Sequence, residues 1–97
     1  MRFGLSAETL EKIVKIFSSH DEVSEVLVFG SRAKGNFKPG SDIDLALKGE
    51  IKLSQVNSML EQLTALFLPQ TFDLVIYNDI KDSELKEHID RVGVRLD

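Results

Sequence analysis

The segment "FGSRAKGNFKPGSDIDLAL", Phe29 to Leu47, keeps its charges apart. Arg32, Lys34 and Lys38 occupy the first half with no acid among them, and Asp42 and Asp44 stand two residues apart in the second. Gly30 and Ser31 leave an apolar run and open a possible helical turn. Free backbone N–H groups and one hydroxyl at such a turn suit an anion, and glycine lets a phosphate approach the backbone closely. Arg32, Lys34 and Lys38 would add mobile positive charge around it. Asp42 and Asp44 alternate with Ile43, Leu45 and Leu47, so on a strand they share one face. Their Cα atoms would lie about 6.7 Å apart, close enough for two carboxylates to converge on a hard cation. Mg²⁺ prefers oxygen ligands completed by water and substrate phosphates. Taken alone, Gly-Ser also reads as an ordinary turn, and Asp-x-Asp as a solvated strand face. Asp73 bears on the choice, because it interrupts the apolar run "FDLVIY", where a charge is costly unless exposed, paired or metal-bound. Should that strand lie beside the Asp42–Asp44 strand, three carboxylates meet next to a phosphate cradle, a layout suited to phosphoryl chemistry with divalent ions.

The elements that must position these groups are legible from periodicity. "SAETLEKIVKIF" places Leu10, Ile13, Val14 and Phe17 on one helical face behind a Ser6 N-cap. "EVLVFG" reads as a buried strand, "SRAKG" as one helical turn, "NFKPG" as a loop and "SDIDLAL" as a second strand. A helix from Ser54 buries Val56, Met59, Leu60, Leu63 and Phe67 and stops before Pro69. "TFDLVIY" is a third strand. A last helix starts near Asp82, buries Leu85, Ile89 and Val92, and is capped by Gly93, after which "VRL" forms a short edge strand. The predicted class is α/β, with a small mixed sheet flanked by helices. The first two strands lack a crossover helix between them and are expected to run antiparallel. His20 and His88 are assigned to surface or capping positions, and Phe37 to anchoring its loop rather than covering a base.

A chain of 97 residues reads as one domain, 1–97, with a real core. A net charge of −4 argues against a general grip on nucleic-acid backbone while leaving room for a local phosphate site. No cysteine is present, which excludes disulfides and thiolate metal sites and fits a reducing cytosol. No apolar run approaches bilayer-spanning length, so the expected location is cytoplasmic and membrane binding is not expected.

"GSRAKG…SDIDL" resembles the signature of the DNA polymerase β-like nucleotidyltransferase superfamily, and the short chain is similar to its minimal nucleotidyltransferase (MNT) proteins. Ten residues separate Ser31 from Asp42, within the range that family uses. The resemblance covers nearly the whole chain. It implies triphosphate binding at Gly30 and Ser31, with Arg32 and Lys34 beside them, and catalytic metal ligation by Asp42, Asp44 and Asp73. Lys34 stands where many relatives carry arginine, which keeps charge and loses the bidentate fork. The cofactors implied are Mg²⁺ or Mn²⁺, with ATP as nucleotide substrate. The partner implied is a small all-helical HEPN-like protein, for which the MNT chain acts as antitoxin by transferring AMP to a hydroxyl. Transfer to a small molecule, or a non-catalytic nucleotide-binding module that neutralises a partner by contact, are the alternatives.

Overall fold

The computed structural model describes residues 2–96. In chain order the elements are α1 (Ala7–Ser18), β1 (Val23–Phe29), a single turn α2 (Ser31–Lys34), β2 (Ile43–Gly49), α3 (Leu53–Thr64), β3 (Phe72–Ile76), a 3₁₀ turn (Tyr77–Asp79), α4 (Ser83–Val92) and β4 (Val94–Arg95). The four strands form one mixed sheet in the order β3-β2-β1-β4. β1 pairs antiparallel with β2, and β2 pairs parallel with β3. The connections account for both senses: a short turn and loop return the chain antiparallel, whereas α3 carries it back across the sheet for a parallel strand. The predicted α/β class with a mixed sheet is the observed one.

Alternation along the strands divides the interior in two. Val26 and Val28 of β1 and Ile43, Leu45 and Leu47 of β2 pack with Ile13 and Phe17 of α1 and with Val56, Met59 and Leu63 of α3. The opposite face carries Phe29 and Ala46, which pack with Ile89 of α4. Two helices therefore cover one side of the sheet, and one shorter helix covers part of the other. Ser6 caps α1 as expected, its Oγ accepting the Thr9 N–H at 3.1 Å. Asp82 caps α4, with Oδ1 accepting from the Glu84 N–H at 2.9 Å. Gly93 ends α4 with an extended φ of −61° rather than a left-handed one. β4 is the short edge strand expected after it. No helix among the described residues is long and apolar enough to cross a membrane.

The end of α3 departs from the expected pattern. Phe67 does not join the helix's apolar stripe: it lies beyond Thr64, adopts φ 53° and is 89% exposed. The chain tightens there, with Leu66 N–H donating to Leu63 O and Phe67 N–H to Thr64 O at 3.1 Å each. These three-residue closures rotate the positions after Thr64 out of the α-helical phase. Leu66 and Leu68 pack against the core instead.

Candidate active site

β1 ends at Phe29 and α2 starts at Ser31, so one residue makes the turn between them. Gly30 does so with φ 72° and ψ −151°, a backbone region that residues with a Cβ avoid. A Cβ at this position would also run into the Asp44 carboxylate. Glycine thus satisfies two separate requirements, the turn itself and the close approach of the α2 turn to Asp44. The first N–H groups of α2 have no partner within the turn, as at any helix start.

The acids assemble by strand pairing. Phe29 is the Cα partner of Asp44 across β1 and β2, and Asp44 is the partner of Asp73 across β2 and β3. A row Phe29–Asp44–Asp73 thus crosses the sheet on the face that α4 partly covers. Asp42 precedes the first residue of β2 rather than lying within it, near enough for its charge to act on the Asp44 carboxyl. Its Oδ1 accepts the Thr71 hydroxyl. Asp73 needs no burial to be compensated, because β3 is an edge strand and the residue is exposed. Asp73 thus occupies the edge position that one reading expected, and the register sets it beside Asp44.

Charge in this row is poorly balanced. Partial burial holds the Asp44 carboxyl above the usual carboxylate range, and the nearby charges of Asp73 and then Asp42 push it the same way. Only His88 acts against them. Among the described residues no three ligating side chains are already converged on a point. The donors are nonetheless hard carboxylate oxygens that repel one another beside a glycine cradle that a Cβ would fill. That chemistry suits a divalent ion whose shell is completed by phosphate and water oxygens.

The basic half of the segment is organised differently from the expectation. Arg32 is not a mobile cation at a phosphate site: it is 2% exposed. Its Nη1 donates to Phe3 O at 2.7 Å, Nη2 to Pro39 O at 3.2 Å and to Ser41 O at 2.9 Å, and Nε to Ser41 O at 3.2 Å. The guanidinium also lies 4.8 Å from the centroid of the Phe37 ring. Burial lowers the Arg32 pKa from its ordinary value. Arg32 ties the chain start and the loop before Asp42 to α2, and Phe37 is the loop anchor that was expected. Lys34 and Lys38 remain exposed at the end of α2 and on the loop.

Two nearby groups were not foreseen from the sequence. Thr71 orients Asp42 from the residue before β3. His88, assigned to the surface, is half-buried, with its ring edge-on to Phe29. Its signal was present: Leu85, His88, Ile89 and Val92 fall at the spacing of one helix face. His20, also assigned to a surface or capping position, is half-buried and ties the end of α1 to α3, with its ring nitrogens 3.1 Å from Glu22 Oε2 and 2.6 Å from Gln62 Oε1.

The family model "Polymerase beta, Nucleotidyltransferase" matches residues 11–96. No curated protein sequence matches the chain significantly. Among solved structures, a chain of a toxin–antitoxin crystallised with AMP-PNP superposes with a TM-score of 0.74 at 21% identity, covering 90% of this chain and 71% of that one. A chain from the complex of the tri-AMPylated Shewanella oneidensis HEPN toxin with its MNT antitoxin gives 0.68 at 18% identity, covering 92% and 69%. The MntA–HepT toxin–antitoxin gives 0.67 at 19% identity, covering 94% and 71%. At these identities the likeness is one of fold. The family model spans nearly the whole sequence, and this chain belongs to the polymerase β nucleotidyltransferase family.

Proposed function

We propose that the protein is a metal-dependent nucleotidyltransferase that moves AMP from ATP to a hydroxyl on a partner protein, as the antitoxin of a HEPN–MNT pair. The observation that carries this reading is the strand register that sets Asp73 beside Asp44, with Gly30 directly against the Asp44 carboxylate. The toxin–antitoxin structures of the same fold support it, since one contains AMP-PNP and another an AMPylated HEPN toxin.

In this reading the backbone at Gly30 and Ser31 would hold the triphosphate, and Asp42 and Asp44 would hold Mg²⁺ or Mn²⁺ beside it. The bound ion would neutralise charge on the phosphates and favour attack on them. Asp73, outermost in the row, takes the proton of the acceptor hydroxyl. The acceptor oxygen forms a bond to the α-phosphorus, the bond to the β-phosphate oxygen breaks, and pyrophosphate leaves. Arg32 contributes by fixing the loop that delivers Asp42, and Lys34 stays available to the phosphates. The acceptor is a small all-helical HEPN-like chain, which binds as a hetero-oligomer.

The test is co-purification from the native cell followed by reaction with α-labelled ATP and Mg²⁺. Label should pass to the co-purified partner with wild-type protein and not with Asp44→Asn. Label on a metabolite instead would support small-molecule transfer. A tight complex without any transfer would support neutralisation by contact alone.

A further inference from the structure

The two histidines of this chain are in opposite situations. Both ring nitrogens of His20 have side-chain partners, Glu22 and Gln62. Among the described residues no hydrogen bond uses either nitrogen of His88. Yet His88 lies on the inward stripe of α4, next to Ile89, which is fully buried against the sheet. The residue is only half-buried, and no buried side-chain nitrogen or oxygen among the described residues lacks a partner, so its unbonded nitrogens open to solvent.

Its location explains what those nitrogens can reach. The imidazole stands edge-on to Phe29, with ring centroids 6.1 Å apart and planes at 80°. Phe29 is the cross-strand partner of Asp44 and the residue immediately before Gly30. Cross-strand partners on one face have Cβ atoms about 5 Å apart, so a ring resting on Phe29 adjoins the Asp44 carboxylate. The favourable influence of His88 on ionised Asp44 agrees with this placement. Three groups therefore meet at one end of one sheet face: the Gly30–Ser31 turn, the Asp44–Asp73 row and His88 on α4. Two of them are already assigned to the nucleotide in the reading above, on which this inference rests.

We propose that His88 is a nucleotide-contacting residue, whose ring N–H donates a hydrogen bond to a phosphate oxygen of the nucleotide lying between Gly30 and the acid row. Phosphate is the chemistry that fits, because its neighbours would be carboxylates, which call for an occupant that brings a cation, and an imidazole N–H, which needs an acceptor. The ring's packing on Phe29 fixes its direction, so little side-chain freedom is lost on binding.

Calorimetry with two probes, Mg·ATP and Mg²⁺ with inorganic tripolyphosphate, tests the assignment. His88→Phe keeps a ring on Phe29 and removes both nitrogens, and His88→Gln restores an N–H donor. His88→Phe should weaken both probes about tenfold, the scale of one charge-assisted hydrogen bond. It should leave the melting temperature of the free protein unchanged, and His88→Gln should recover part of the loss. Should His88→Phe not fold, His88→Leu supplies the same comparison, since leucine suits the apolar stripe. Unchanged affinity for both probes in a folded variant overturns the proposal, as does weaker ATP binding with tripolyphosphate unaffected. Wild-type protein that binds neither probe overturns the nucleotidyltransferase reading along with it, whereas wild-type binding without any variant effect overturns this proposal alone.

Discussion

Asp44→Asn should make the free protein more stable while removing its metal-dependent nucleotide binding. Asp73 lies across one strand spacing from Asp44, about 4.8 Å, and Asp42 two residues before Asp44, about 6.7 Å at the rise of an extended chain. In a water-like dielectric, like charges at those separations repel by about 0.9 and 0.6 kcal/mol. Screening at physiological salt, with a Debye length of about 8 Å, cuts each roughly in half. Relief of repulsion is then about 0.7 kcal/mol. Removing the partial desolvation of the carboxylate adds to this, and losing the attraction to His88 subtracts from it. A net gain of about 0.5–1.5 kcal/mol is expected, discounted for the exposure of the site. For a domain of this size that amounts to roughly 3–8 °C in Tm.

The sign of the pH dependence follows from the raised pKa of Asp44. An acid whose pKa is higher folded than unfolded destabilises the fold only when ionised. The penalty is absent below the unfolded value, about 3.9, and fully present above the folded one. The advantage of Asp44→Asn should therefore appear at pH 7 and vanish on acidification below about pH 4. Thermal melts across this range, with and without Mg²⁺ and ATP, make the comparison: ligands should raise the wild-type Tm and not that of the variant. A variant that is less stable than wild type at pH 7 would refute the reasoning and make Asp44 a structural residue.

Asp73→Asn should retain most Mg·ATP affinity but lose transfer by about 10²–10⁴-fold, the range for removal of a general base, as read by calorimetry and label transfer in parallel. Wild-type transfer would return Asp73 to an edge-strand acid. Arg32→Lys should cost about 2–4 kcal/mol in urea denaturation, because an ammonium cannot reproduce the guanidinium fork to Phe3, Pro39 and Ser41 and leaves carbonyls short of donors. A loss below about 0.5 kcal/mol would show that those bonds contribute little. Gly30→Ala should abolish nucleotide binding and destabilise by more than Gly35→Ala. Both glycines have positive φ, but a Cβ at Gly35 meets open space while one at Gly30 meets Asp44. Equal melting temperatures for the two variants would contradict the close approach.

Much of the site was legible because it rests on local periodicity. Alternation alone puts Asp42 and Asp44 on one face and Ile43, Leu45 and Leu47 on the other; those three are buried as expected, while Asp42 falls just before the strand. The missing crossover between β1 and β2 indicates their antiparallel sense. The pairing of Asp44 with Asp73 depends on strand order, which periodicity does not encode, so it could be framed only as a condition. Arg32 was misread for a related reason. A cation beside Gly-Ser has the right charge for phosphate, but its acceptors include Phe3 O, 29 positions away in sequence. Nothing local to Arg32 reveals such a partner. Phe67 continues the spacing of the α3 stripe, and only the backbone turn after Thr64 removes it from the core. His88 sat on an apolar stripe, where a lone polar residue is easily taken for a rim position.

The sorting of charge noted in the sequence turns out to be a sorting in space. Arg32 points into the chain start and the loop, and Lys34 and Lys38 face solvent. Among the described residues none of these three cations forms an ion pair with Asp42, Asp44 or Asp73. The fold thus leaves its acid row without a fixed counter-charge, at a cost of about 0.7 kcal/mol by the Coulomb arithmetic above. A cation binding alone meets carboxylates but lacks phosphate ligands, and a triphosphate binding alone meets repulsion. Each ligand removes the obstacle to the other, so coupling between them follows from the charge pattern itself. Strand order then sets the direction of approach. Among the described residues β3 is an edge, and no further strand lies beyond Asp73. In the proposed reading, a hydroxyl carried by another chain would approach that carboxylate from outside the sheet, so that the acceptor would not have to be enclosed by this domain.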